Sequence, residues 1–458
     1  MLQDKVIQDL ELRKYGFEIF QNDPYLFNLF PDGHHLPSWR AEKKTIKEIQ
    51  RFSEHDAEVY PKWIDFWKKA AEIIHKYFLR TPPTLDDLTE DVKDTKKEEI
   101  LNIMLTTDLR SFVEEYFESE QVRISKIPFT QDIGPRIPGG VLCLAYFKTG
   151  MLGDQKNSGL VKGGMGTITQ AMARSAESRG VEIRTGVEVK QILVKNGYIE
   201  GVELMNGEKI QSQIVVSNAD PKRTFLKLVE NQHLDKSFIK QVEELKTNVA
   251  YLKFHASLSD LPNFSGFERS FDTYTINAAG EILICPSLDY YEKSWKDAMN
   301  GRPTRNPVMD IQIPTVYDDT LAPKGKHLMS IWSLYAPVKP SKGEWDDLKY
   351  GVGEHIIDSL SEYAPNIKKI IMNWELFTPL DMERRVYLTD GNIRHIDSVT
   401  EQFLTRRPLL GWSNYRTPIQ NLYLCGAGTH PGGEVTGAPG HNAAHVILED
   451  FQRERNGR

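Results

Sequence analysis

The 458 residues are 40% hydrophobic and 26% charged, and 57 basic against 64 acidic residues give a net charge of −7. That balance supports a large core, divided between two interleaved domains, and excludes the clustered positive charge of a nucleic-acid binder. Three scattered cysteines (Cys143, Cys285 and Cys425) without C-x-x-C spacing exclude a zinc ribbon or redox dithiol, and no apolar run reaches the roughly 18 residues of a spanning helix.

Residues 1–40 read as a short helix followed by an irregular, aromatic-rich extension. Residues 45–80 are strongly helical. From Tyr60 to Phe78 the apolar residues fall at 60, 63, 64, 67, 70, 71, 74, 77 and 78, a 3.6-residue period. Lys62, Lys68, Lys69 and Lys76 take other positions, so the helix either covers a core or lies on a membrane; the core is the commoner fate of such a face. Pro82-Pro83 closes it. Residues 96–123 are helical again, and 128–159 read as irregular around Gly139-Gly140 and Tyr146-Phe147.

Gly163-Gly164-Met165-Gly166 then opens a helix with Ile168, Ala171, Met172, Ser175 and Ala176 on one face, closed by Gly180. Val181–Ile183 and Val187–Val189 alternate as strands. Asn196-Gly197 and Asn206-Gly207 sit between apolar alternations. Both residues of such a tight turn must accept positive φ, so each pair predicts a hairpin. A buried strand follows at Val215. Strands at Val249–His255, Met309–Ile313 and His327–Ser333 and a helix at Trp345–Tyr363 belong to a second region. Trp332, Tyr335 and Trp374 are candidates for a greasy channel, although each is equally well explained as core.

The most informative segment begins at Asn421. A short apolar strand, Leu422–Leu424, runs into a turn holding Gly426, Gly428, Gly432, Gly433 and Gly437, and then into a helix expected to start near Val435. Glycines let backbone approach a ligand closely, and a helix N-terminus offers unpaired N–H groups and partial positive charge. His430 within the turn is either a ligand contact, as a proton donor or polar group, or a turn residue bonding backbone. His441 and His445 stand four apart on the helix, but no HExxH and no third ligand accompany them, so no metal is expected.

This turn resembles the C-terminal flavin-binding motif of the phytoene dehydrogenase-like FAD-dependent oxidoreductases. Lys162–Gly166, Val215–Pro221, Asp318–His327 and Asp9–Gly16 agree with the same family, in the same order. The resemblance implies an α/β fold: a glutathione-reductase-type, Rossmann-like FAD-binding domain with an inserted α+β substrate domain. The expected FAD-binding parts are residues 1–40, 160–230 and 405–458; residues 41–159 and 231–404 would form the substrate domain. It implies FAD contacts from Gly426, Ala427, Gly428, Pro431, Gly432, Gly433, Val435 and Thr436, with main-chain groups of Val189 at the adenine. It also implies hydride transfer from an apolar or amine-like substrate to flavin N5, with oxygen, a quinone or another electron acceptor, although relatives include redox-neutral isomerases. No single acid or base stands out as catalytic.

Two departures qualify that expectation. Glu434 stands where relatives carry glycine, and a carboxylate there opposes the charge of reduced flavin unless it points to solvent. No G-x-G-x-x-G occurs in the sequence, so the usual diphosphate cradle and its βαβ unit, at least ~30 residues, are missing. The preferred expectation is an N-terminally incomplete flavoenzyme. A flavin-free scaffold or interaction protein and one piece of a split flavoenzyme are the alternatives. Sparse cysteine and the lack of a signal-like N-terminus suggest a reducing compartment, cytoplasmic or, in a eukaryote, mitochondrial. Peripheral membrane contact is compatible with an apolar substrate.

Overall fold

The computed structural model describes residues 2–127, 134–152, 159–267 and 273–456. The helix Asp4–Asp9 leads into three short strands, β1 (Ile19–Phe20), β2 (Leu26–Leu29) and β3 (His35–Ser38). The expected irregular extension therefore holds three short strands between its turns. Pro24, Pro31, Gly33 and Pro37 break the pattern into pieces too short to read, yet Phe27 and Leu29 still alternate into the core, each fully buried.

A helical layer follows. Helices Glu42–Gln50 and Glu54–Phe78 replace the single expected stretch, separated at Ser53, whose hydroxyl accepts from the Asp56 amide. The predicted apolar face is core: Trp63, Phe66 and Trp67 are at most 2% exposed and meet Phe112 at centroid distances of 5.0, 4.7 and 5.6 Å. Helices Leu85–Val92, Lys97–Thr106, Leu109–Tyr116 and Glu120–Lys126 come next, the last two capped by Asp108 and Ser119. Within the stretch read as irregular lies another helix, Gly140–Leu152. Val141 through Tyr146 are all buried, so an apolar surface all round it erased the helical period. Residues 128–133 and 153–158 of that reading lie outside the described residues.

Strand β4 (Leu160–Val161) pairs with β1 and leads through the glycine turn into the helix Gly166–Glu177, on which Ile168, Ala171 and Ser175 are buried. Gly180 at φ +87° closes it as expected. Residues 181–188 take no regular structure, which corrects the two strands expected at Val181–Ile183 and Val187–Val189; only Val189 is in a strand. A strand needs a neighbour to complete its ladder, and among the described residues none lies alongside Val181 and Ile183, which stay 51% and 43% exposed. The predicted meander follows: β5 (Val189–Lys195), β6 (Tyr198–Leu204) and β7 (Lys209–Gln211), antiparallel, with Asn196 and Gly197 both at positive φ in the first turn. Next is β8 (Val215–Ser217).

The remaining strands are β9 (Val249–Leu258), β10 (Glu281–Ile284), β11 (Val308–Gln312), β12 (His327–Pro337), β13 (Ile371–Phe377) and β14 (Leu422–Leu424). β14 pairs in parallel with β8. The others form a seven-stranded sheet in the order β13-β9-β12-β11-β10-β2-β3. Residues 26–38, expected in the FAD-binding part, pair into this larger sheet, where β2 runs parallel to β10 in full register. Conversely, Phe238, Val242 and Leu245 pack with Ile192, Leu422 and Leu424, so the start of the expected 231–404 segment joins the β8/β14 side.

One face of the large sheet carries Leu252, Phe254, Ile331, Ile311, Ile282 and Phe27 against the helix Trp345–Ser361. Trp374 belongs there too, stacked on Phe254 at 5.5 Å. On the opposite face Tyr251, Leu334, Tyr335, Val308 and Cys285 pack into the helical layer. Farther along that face stand Lys253, Asp310 and Glu281, together with Trp332. Among the described residues, no helix is long and apolar enough to cross a membrane.

Candidate active site

The glycine turn is held from three sides. Beneath it lies the turn after β8: a Cβ on Gly426 would meet the Asn218 carbonyl oxygen at 2.9 Å and the His395 ring at 2.7 Å, and one on Gly428 would meet the Pro221 ring at 2.8 Å. These two glycines are required by packing alone. Asp220 in the lower turn accepts from the Arg223 amide and from the Thr389 amide and hydroxyl, tying it to the loop 388–397. That loop is fixed to the start of β9: Asp397 accepts from the Asn248 amide, and Asn392 donates to Asp397 and to the Val249 carbonyl.

Arg407 joins loop and turn. It is fully buried, and its guanidinium donates to the carbonyls of Ala427, Arg394, Ile396, Asp397 and Gln402. On the third side, Tyr415 donates to the His430 carbonyl, and Asn442 donates to Tyr415 and to the carbonyls of Phe78 and Arg80. His430 is 1% exposed, and its Nε2 bonds the Tyr77 carbonyl at 2.9 Å. It therefore acts as a backbone-bonding turn residue, the second of its two expected roles.

Burial holds the His430 imidazole neutral, lowering its pKa to about 4. The unfolded chain takes up a proton near the ordinary value of about 6.5 while the folded chain does not, so the stabilisation is complete above that value and is lost as pH falls towards 4. His395 shifts the same way for the same reason, also to about 4. Each histidine is expected to cost about 2 kcal/mol of stability on going from neutral pH to about pH 5. Denaturant midpoints across that range measure the loss, and a His430→Gln variant should show a shallower slope.

The exposed rim has a different character. Gly432 lies at φ +111°, Glu434 at +71°, Val435 at +57° and Gly437 at +73°. This run of left-handed residues delays the helix, which starts at Ala438 rather than near Val435. The amides of Gly433, Glu434, Val435 and Thr436 have no acceptor among the described residues. Thr436 is only 2% exposed; its hydroxyl accepts from the Ala438 amide and its carbonyl from the Gln3 amide. Glu434 neither points freely to solvent nor stands as a lone charge, because it pairs with the Arg394 guanidinium. Neutralising that carboxylate removes the electrostatic objection raised by its replacement of glycine. Val189 stands apart, in the meander, opposite Leu204. Pro431 is buried beside His430.

Sequence reasoning missed Arg394, His395, Arg407 and Asp220. The available signal was a basic residue set against an apolar run (Arg407 before Pro408-Leu409-Leu410) and the turn-forming Asp390-Gly391-Asn392. Neither feature alone separates a buried polar hub from a solvated loop.

A second glycine turn stands at Gly163 and Gly164, both at positive φ, where the Gly163 amide donates to Asp318 at 2.6 Å. The unpaired amides at 433–436, the absence of a lone charge beside them and the preformed turn fit the electron-rich edge of a flavin ring. The Gly163 turn, between β4 and the helix Gly166–Glu177, lacks the G-x-G-x-x-G spacing of a diphosphate cradle.

Comparison with known proteins bears on the same point. The family model of flavin containing amine oxidoreductases matches residues 89–278. The chain is 31% identical to pyridine nucleotide-disulfide oxidoreductase domain-containing protein 2 of Mus musculus, over 99% of this chain and 84% of that protein. It is 23% identical to a neurosporene-forming phytoene desaturase of Cereibacter sphaeroides, over 91% of this chain and 77% of that one. Among solved structures, an oxidoreductase from Methanosarcina mazei superposes with a TM-score of 0.56 at 14% identity, covering 97% of this chain and 85% of that one, a likeness of fold. Sequence, fold and turn agree: the chain belongs to the phytoene dehydrogenase-like FAD-dependent oxidoreductases, as a relative of pyridine nucleotide-disulfide oxidoreductase domain-containing protein 2.

Proposed function

We propose that this oxidoreductase takes a hydride from a C–H bond of a small apolar or amine-like substrate while the neighbouring carbon or nitrogen gives up a proton to solvent, leaving a C=C or C=N bond, and passes the two electrons on to oxygen, a quinone or another acceptor. FAD, when bound, supplies the hydride acceptor at its N5. The chain's own residues bind and orient. The amides of Gly433, Val435 and Thr436 would receive the flavin's pyrimidine edge, where negative charge gathers on reduction, and Gly432 and Pro431 shape the approach. Gly426, Ala427 and Gly428 set the depth of the turn through their packing on Asn218, Pro221 and Arg407. Main-chain groups of Val189 would serve the adenine. The observation that carries the reading is the row of donors without acceptors at the end of a preformed, buried-hub turn.

A second reading, a flavin-free scaffold or one part of a split flavoenzyme, is favoured by a specific pair of observations. No G-x-G-x-x-G occurs in the sequence, and Val181, Ile183 and, on β8, Val216 are exposed. Purification followed by FAD addition and removal of excess discriminates. Retained absorbance at about 450 nm supports the enzyme. A preparation that stays colourless supports the second reading.

A further inference from the structure

The last helix, Ala438–Asn456, carries His441 and His445 four residues apart, and that spacing alone is no reason to expect a metal. The fold adds what the spacing lacks, a fixed position for each ring proton. Asn442 donates through its amide nitrogen to the Phe78 and Arg80 carbonyls, which can only accept. Its Oδ1 therefore faces His441 Nδ1, 3.0 Å away, as an acceptor. Nδ1 carries the His441 proton, and the lone pair of the neutral ring falls on Nε2. One turn further on, His445 Nδ1 lies 2.8 Å from the His441 carbonyl oxygen, again an acceptor, so the His445 lone pair is also on Nε2.

The two rings stand one above the other, 4.1 Å between centres and 31° from parallel. His441 Nε2 is sealed from solvent and has no hydrogen-bond partner among the described residues. An acceptor left in that state is a standing cost, and a bound ion is one of the few things that removes it. The arrangement on Nδ1 points the same way. Histidines that ligate a metal through one nitrogen donate the other N–H to an oxygen, which fixes tautomer and ring orientation, and both rings already do so.

We propose that His441 and His445 chelate one late first-row divalent cation, Ni2+, Cu2+ or Zn2+, through their Nε2 atoms, with Asn442 holding the His441 ring in place. Imidazole nitrogen suits these ions, whereas Mg2+ and Ca2+ take oxygen ligands. Among the described residues no third histidine, cysteine or carboxylate joins the pair, so water fills the remaining positions and the ion exchanges with solvent. His445 is exposed, which leaves its ring free to turn onto the ion. The site lies outside the flavin rim and stands whether or not FAD binds. It still reaches the glycine turn, because Asn442 also donates to Tyr415, and Tyr415 to the His430 carbonyl.

The test is calorimetric titration of the untagged full chain with NiCl2, with MgCl2 as the control ion. Wild type should bind Ni2+ at one site at least about tenfold more tightly than His441→Ala or His445→Ala does. The double variant should be no weaker than either single one, since one imidazole is no chelate. His34→Ala, which removes an exposed histidine elsewhere, should bind as wild type does. His445→Ala should melt as wild type does without metal, and saturating Ni2+ should raise the melting temperature of wild type alone. Equal Ni2+ affinity in wild type and His445→Ala, losses that add up in the double variant, or Mg2+ binding as tight as Ni2+ overturns the proposal.

Discussion

Arg407→Leu is expected to lower stability by at least about 3 kcal/mol and to abolish flavin retention in the same variant. The guanidinium is the only group that bonds the carbonyl of Ala427 in the glycine turn and, at the same time, the carbonyls of Arg394, Ile396, Asp397 and Gln402 in the neighbouring loop, among the described residues. Leucine has similar bulk near the backbone but leaves four buried acceptors without a donor (the Asp397 carbonyl keeps Gln402 Nε2), each carrying a desolvation cost of about 1–3 kcal/mol that local rearrangement only partly relieves. Net stability of a domain is about 5–15 kcal/mol, so the loss is a large fraction of it. Arg407→Lys is the informative companion. An ammonium has three donors on a flexible stem and cannot span a fan of five carbonyls, so an intermediate loss is expected. Urea denaturation followed by circular dichroism gives the stability change, and FAD titration gives the second effect. A variant that retains wild-type stability would show that the hub is incidental.

Much of this architecture was legible because the local signals were strong and mutually consistent. Asn196-Gly197 dictated its hairpin since few other pairs tolerate two positive φ values, and the Tyr60–Phe78 periodicity survived because the helix has one wet face. The helix Gly140–Leu152 failed to show for the opposite reason, being apolar on every side. β2 and β3 were hidden by prolines and by a pairing with β10, some 250 residues away, that no local pattern encodes. Val181–Ile183 had the alternation of a strand but no neighbour to make it one. At the site, the glycines were readable and their division of labour was not. Arg407 and Arg394 are single charged residues whose meaning lies in which carbonyl or carboxylate the fold brings against them.

That division of labour gives the second large effect. Gly426→Ala is expected to destabilise the fold by about 1–3 kcal/mol, with or without FAD, because its methyl would press on the Asn218 carbonyl and the His395 ring, and main chain cannot yield as a flexible side-chain tip can. Gly433→Ala should behave in the opposite way. Its φ is not in the left-handed region, and its methyl would find only the Ala427 methyl at 3.4 Å and the Arg394 stem at 3.8 Å, contacts that a small adjustment accommodates. Melting temperature should therefore barely change. The methyl would nevertheless stand where the unpaired amides of 433–436 face outward, so FAD affinity should fall about tenfold or more, the cost of holding a planar ring away from its donors by part of an ångström. Two glycines seven residues apart in one turn would then separate cleanly, one reporting on packing and the other on ligand approach. If instead Gly433→Ala binds FAD as wild type does, the flavin edge does not lie against this rim, and the donors at 433–436 serve something else.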